Sequence, residues 1–111
     1  MGYDIQIMHE GREIEHIYTT YNHYTIFKRL NVYPRDFNDQ TVADILPEYQ
    51  DALLTLTREI PRPTPVRAAS VHSKYMDDTL YEETNEAVLR VLMGIIAVLQ
   101  GCPEDATWVS D

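Results

Sequence analysis

The chain has 111 residues, 44% of them hydrophobic, and carries a net charge of −9. This is enough for one domain with one core and too apolar for a disordered segment. It is also too acidic for a general nucleic-acid binder, whose affinity comes from Lys and Arg neutralising phosphates. A single cysteine, Cys102, excludes an internal disulfide and fits a reducing cytoplasm. The opening Met-Gly-Tyr-Asp-Ile has no basic segment followed by an apolar run, so no secretion signal is expected. Gln6 stands where an N-myristoylation signal expects Ser or Thr.

Residues 3–7, Tyr-Asp-Ile-Gln-Ile, alternate apolar with polar, the period of a half-buried strand. His9-Glu10-Gly11-Arg12 reads as a turn in which Gly11 takes a positive φ, and residues 13–20 as the returning strand. Ile14 and Ile17 share a face only if that strand bulges. Asn22 is a good N-cap for a short helix over 23–30, with Tyr21 stapled on Ile26 and with Phe27 and Leu30 turned inward. Residues 31–40 form a connection interrupted by Pro34, which pushes Tyr33 towards extended geometry.

Thr41 and Asp44 make a T-x-x-D pattern sufficient for one helical turn. Pro47 is ill-suited to a helix interior, so a longer helix is expected to begin there and to end before Pro61. Leu46, Tyr49, Leu53, Leu56 and Ile60 give it one amphipathic face. The next segment, 61–79, is a long proline-containing loop in which Arg62, Arg67 and Lys74 gather basic charge in an acidic chain.

The stretch Asn85–Gln100 is the centre of the fold. Glu86, Arg90 and Gly94 form one narrow stripe and nearly every other position is apolar, so the helix belongs inside something. It is shorter than the ~20 apolar residues needed to cross a bilayer. Gly101 sits where helices often end in a left-handed residue, and Pro103 forbids continuation. Trp108 in the tail is too large an apolar group to stay loose and should dock on the body. The fold class expected is α+β: one domain over 1–111, with an N-terminal hairpin packed on three helices and the last helix central and buried. A homo-oligomer is expected to cover whatever face of that helix the hairpin and the two shorter helices leave open.

No motif identifies an activity. Tyr75-Met76-Asp77-Asp78 matches a polymerase tetrapeptide in a chain far too short for a polymerase palm, and is read as coincidence. His9, His16, His23 and His72 lack the close spacing of zinc ligands, and no metal or cofactor is expected. Cys102, beside Pro103 at the end of a buried helix, reads as inert packing. Two clusters remain. Tyr18, Tyr21, Asn22 and Tyr24 crowd the junction of hairpin and helix, where tyrosine faces can stack and a helix N-terminus favours an anion. Arg62, Arg67 and Lys74 could supply phosphate contacts. Together they suggest a pocket for a small anionic ligand such as a nucleotide; the competing reading makes the tyrosines core edge and the loop a solvated linker.

With these residues assembled, the chain resembles a family of small uncharacterised proteins from phages and bacteria. Members open on Gly or Ser followed by Tyr-Asp-Ile, enter a helix through Ile-Thr-Tyr-Asn, carry Ile-Pro at a second helix start, and end on a Pro-acidic-x-x-Trp-x-x-Asp tail. The counterparts here are Gly2-Tyr3-Asp4-Ile5, Thr19-Thr20-Tyr21-Asn22, Leu46-Pro47 and the segment from Pro103 through Trp108 to Asp111. Thr19 stands where Ile is usual, and the tail has one extra residue between Pro103 and Trp108. The resemblance implies a phage-like origin and a host-cytoplasmic location. The function expected first is non-enzymatic: an accessory, anti-defence protein that sequesters a small nucleotide-like signal through Tyr21, Asn22, Tyr24, Arg62 and Arg67. An acidic inhibitor that occupies a basic site on a host enzyme is the alternative, and a small hydrolase acting on a nucleotide signal the second.

Overall fold

The computed structural model describes residues 2–60, 67–72 and 82–111. Strands β1 (Gly2–His9), β2 (Arg12–Thr20) and β3 (Thr107–Ser110) and helices α1 (Tyr24–Arg29), α2 (Val42–Glu59) and α3 (Asn85–Gln100) make an α+β fold. Short 3-10 turns at Tyr21–His23 and Pro34–Phe37 link them. The sheet is antiparallel, in the order β2-β1-β3.

The hairpin forms as its sequence requires. Glu10 (φ 53°) and Gly11 (φ 76°) are both left-handed, the two-residue turn whose twist matches the strands it joins. Ile7 lies opposite Glu15 and Met8 opposite Glu13, so Ile14 is the extra residue of a bulge. That bulge does not bring Ile14 onto the face of Ile17: Ile17 is fully buried, whereas Ile14 stays exposed. Tyr3, Ile5, Ile7 and Ile17 make the inner face.

Three local expectations are corrected. Asn22 is not the cap; Thr20 is, its Oγ1 accepting from the Asn22 N–H at 3.2 Å, because a 3-10 turn begins at Tyr21, directly after β2 ends. Helix α2 is continuous from Val42, capped by Thr41, and Pro47 lies inside it. The proline is tolerated because it and Ala43, whose carbonyl loses its partner, both face water. The buried stripe of α2 is accordingly Val42, Ile45, Tyr49, Ala52 and Leu56, with Leu46, Leu53 and Ile60 only partly covered. Gly101 closes α3 at φ −87°, not in a left-handed conformation; its N–H donates to the Val98 carbonyl at 3.1 Å.

The tail adds a strand that its four residues were too few to signal. Trp108 is fully buried, and its Nε1 donates to the Pro34 carbonyl at 2.8 Å. Its ring packs on Tyr49 (5.6 Å between centroids) and Phe37 (6.1 Å). Residues 38–42 then seal the outer edge of β3 and the segment before it. Asp39 N–H donates to Trp108 O at 2.9 Å, Trp108 N–H to Gln40 O at 3.0 Å and Val42 N–H to Ala106 O at 2.8 Å.

Helix α3 has the bounds its sequence predicted and is buried nearly all round. Val88, Val91, Leu92, Ile95 and Leu99 have no accessible surface, and among its apolar side chains Ala97 alone is exposed. It packs on α2 and β2, and segment 67–72 crosses it as a strap. A Cβ at Gly94 would collide with the Ala69 carbonyl, so only glycine admits the strap at this depth. Ala69 N–H donates to Arg90 O at 2.9 Å, Arg90 Nε to Arg67 O at 3.1 Å, and Tyr18 N–H to Val71 O at 2.6 Å. No described helix is long and apolar enough to cross a membrane.

Because Trp108 joins β3, α2 and the Pro34 turn, Trp108→Ala should cost about 3–5 kcal/mol. Urea unfolding followed by circular dichroism measures it; a cost under ~1 kcal/mol would mean that the tail does not hold the core.

Candidate functional site

The edge-on packing of four tyrosines builds one surface at the end of the hairpin. Tyr3 is buried on β1, and its ring meets Tyr21 at 4.6 Å and Tyr33 at 5.5 Å, both nearly perpendicular. Tyr24, at the start of α1, meets Tyr33 at 5.4 Å and remains 48% exposed. Such edge-to-face pairs are worth roughly 0.5–1.5 kcal/mol each beyond their burial, so the cluster is a rigid object.

Two cations lie on it. Lys28 follows Tyr24 by one helical turn, which carries its Nζ to 4.3 Å from the Tyr33 ring centre and 5.9 Å from that of Tyr24. Arg35, in the Pro34–Phe37 turn, places its guanidinium 5.6 Å from Tyr3 and 5.9 Å from Tyr21. It donates to Tyr21 Oη at 3.4 Å and, through Nε, to the Asp111 carbonyl. Arg29 is committed elsewhere, donating twice to Glu59, at 2.6 and 2.8 Å. Three of the nine basic residues of an acidic chain thus fall between positions 28 and 35.

The residues singled out from sequence are only partly brought together. Tyr21 and Tyr24 belong to the cluster. Tyr18 is buried on the opposite face of the sheet, across Gly2. Asn22 is exposed on the 3-10 turn. The helix that follows has six residues and Thr20 as the cap before its 3-10 entry, so the anion-binding helix terminus expected there is not built. Arg67 is part of the strap, its carbonyl held by Arg90. Arg62, Lys74 and the Tyr75-Met76-Asp77-Asp78 tetrapeptide lie outside the described residues. Two cations not singled out from sequence, Lys28 and Arg35, lie on the tyrosine cluster. The i, i+4 spacing of Tyr24 and Lys28 signals the first of them, and Tyr33-Pro34-Arg35 the second; Tyr3 emerges only with the strand register.

The histidines are dispersed. His9 pairs with Asp105 at 3.0 Å, His16 with Asp4 at 2.9 Å and His72 with Glu15 at 3.4 Å, while His23 is buried with its ring 5.7 Å from Phe27. Among the described residues no three His, Cys, Asp or Glu side chains are grouped to hold a metal ion. Burial, with Glu15 adding to it, pushes the Cys102 thiol up from its ordinary pKa, and Sγ donates to the Val98 carbonyl at 3.2 Å. A thiol held in its protonated form is a poor nucleophile. No family model, no curated protein and no solved structure matches the chain.

Burial raises the phenol pKa of Tyr3, and a hydrogen bond with Tyr33 adds to the effect; burial alone raises that of Tyr49. Both stay neutral in the folded chain at a pH where the unfolded chain ionises, near 10. Their contribution is complete below that value and is lost progressively as pH rises from it towards the raised folded-state values. The urea midpoint should therefore fall between pH 8 and 10.5, and Tyr49→Phe should reduce the fall. An unchanged midpoint would contradict the buried, neutral phenols.

Proposed function

We propose that the chain is a non-enzymatic binding protein whose tyrosine surface captures a small anionic ligand carrying a flat ring, of the nucleotide kind. The observation that supports this reading is the placement of Lys28 and Arg35 on the tyrosine cluster beside the half-exposed Tyr24. A ring stacked on Tyr24 would put an attached phosphate near Lys28, whose Nζ lies 5.9 Å from that ring, with Arg35 offering a second cation beside Tyr3 and Tyr21. Both hydrogen-bond more strongly to charged oxygens than to neutral ones. The site is an open surface with the cations already present, so binding needs little rearrangement. In the phage-like setting suggested by the resemblance, the protein would withdraw a nucleotide signal from a host defence.

Calorimetry against a panel of mono-, di- and cyclic nucleotides tests it. Binding should appear with at least one member, weakening about tenfold in Arg35→Ala and in Lys28→Ala, since a charged hydrogen bond contributes roughly 1.5–3 kcal/mol. Tyr24→Ala should weaken it severalfold. No binding across the panel would remove the proposal. Salt-sensitive capture of a host enzyme in its place would point to the acidic inhibitor, and turnover of a panel member to the hydrolase.

A further inference from the structure

An open cleft of about 290 Å³ lies between the first turns of α2 and the end of α3, and shares no residue with the tyrosine surface. Val42, Leu46, Pro47 and Leu99 give it apolar walls. Cys102 completes them, its thiol proton already donated to the Val98 carbonyl at 3.2 Å.

The polar groups of this cleft are acceptors, for three separate reasons. Pro47 has no N–H, so the Ala43 carbonyl lacks the partner that an α-helix would give it, and both residues line the cleft. Helix α3 ends here with no basic residue in its last turn, so nothing in the helix offsets the negative end of its dipole. Glu104, the one charged residue of the lining, pairs with no cation among the described residues. It is fixed beside α2 by the Ala43 N–H, which donates to its carbonyl at 3.0 Å. The other donors that would favour an anion are also taken. Val42 N–H goes to the Ala106 carbonyl at 2.8 Å, and Asp44 N–H to the Thr41 carbonyl at 3.0 Å. The side-chain amides of Gln50 and Gln100, also in the lining, can each turn an oxygen inward.

We propose that this cleft binds a primary ammonium group on an aliphatic stem, as carried by a lysine side chain or a free alkyl diamine. An ammonium has three donors and no acceptor, the complement of Glu104, the Ala43 carbonyl and a glutamine oxygen. Its methylenes lie along the apolar walls, as lysine stems do on other apolar surfaces. A guanidinium fits less well, because its rigid fork matches one planar carboxylate better than acceptors from separate residues.

Amide chemical shifts of the whole chain, titrated with cadaverine and with N-acetyl-lysine methylamide, test this. At least one of the two should shift Ala43, Gln50, Gln100 and Glu104 saturably, with a Kd on the order of 1 mM. Saturation by cadaverine alone identifies a free diamine as the source, and by the lysine amide alone a lysine side chain. Methylamine has the charge without the stem and pentanol the stem without the charge; each should bind at least about tenfold more weakly. Glu104→Gln should weaken binding severalfold. Pro47→Ala returns an N–H to the Ala43 carbonyl, so it should weaken binding while raising the urea midpoint, a pairing that a purely structural role would not give. Shifts that do not saturate with either amine, methylamine binding as well as they do, or full affinity in Glu104→Gln or in Pro47→Ala would each overturn the proposal.

Discussion

Helix α3 carries apolar side chains over almost its whole circumference, and the other elements are placed by the need to keep water from it. Five of its residues, Val88, Val91, Leu92, Ile95 and Leu99, have no accessible surface. At roughly 1.5–3 kcal/mol for each large side chain buried, they contribute on the order of 10 kcal/mol, comparable with the whole net stability of a small domain. No single neighbour provides that cover. The inner face of the sheet, the stripe of α2 from Val42 to Leu56, and the strap each take a share. The strap lies where α3 is least apolar: the Arg90 carbonyl and side chain hold its backbone, and Gly94 admits it. Arg90 and Gly94, two positions of the helix's narrow stripe, therefore serve as a main-chain docking site.

A second centre within the same core is aromatic. Trp108, Tyr49 and Phe37 pack on one another where β3 meets α2 and the Pro34 turn. This places Tyr33 and Arg35, on either side of Pro34, against Tyr3 and Tyr21 from the hairpin. The surface proposed to bind ligand thus rests on a turn whose Pro34 carbonyl is held by the indole of Trp108. Long-range packing of the tail positions a cation close to the hairpin.

Strong periodicity made most of the architecture legible in sequence. The alternation of residues 3–7, the Glu10-Gly11 turn and the apolar stretch of α3 each specify one geometry, and the structure has all three. The cap at Thr20 rather than Asn22 was not legible, because both residue types cap well and the choice depends on where β2 releases the chain. Nor was an uninterrupted α2, since Pro47 is acceptable only once its turn is known to face water. Of the candidate site, Tyr21 and Tyr24 could be read from their crowding at the hairpin's end. Lys28 is signalled by its i, i+4 spacing from Tyr24 and Arg35 by Tyr33-Pro34-Arg35, whereas Tyr3 needed the strand register, which brings residues about thirty positions apart into one cluster.

Amide hydrogen exchange along α3, followed residue by residue at low protein concentration, tests the central burial most directly. A helix covered on all sides exchanges only through global unfolding, so the amides of Leu92, Ile95 and Leu99 should be the slowest in the chain and share the same opening free energy. Exchange of those amides at rates close to those of α1, or well ahead of the Ile5 and Ile17 amides in the sheet, would contradict it.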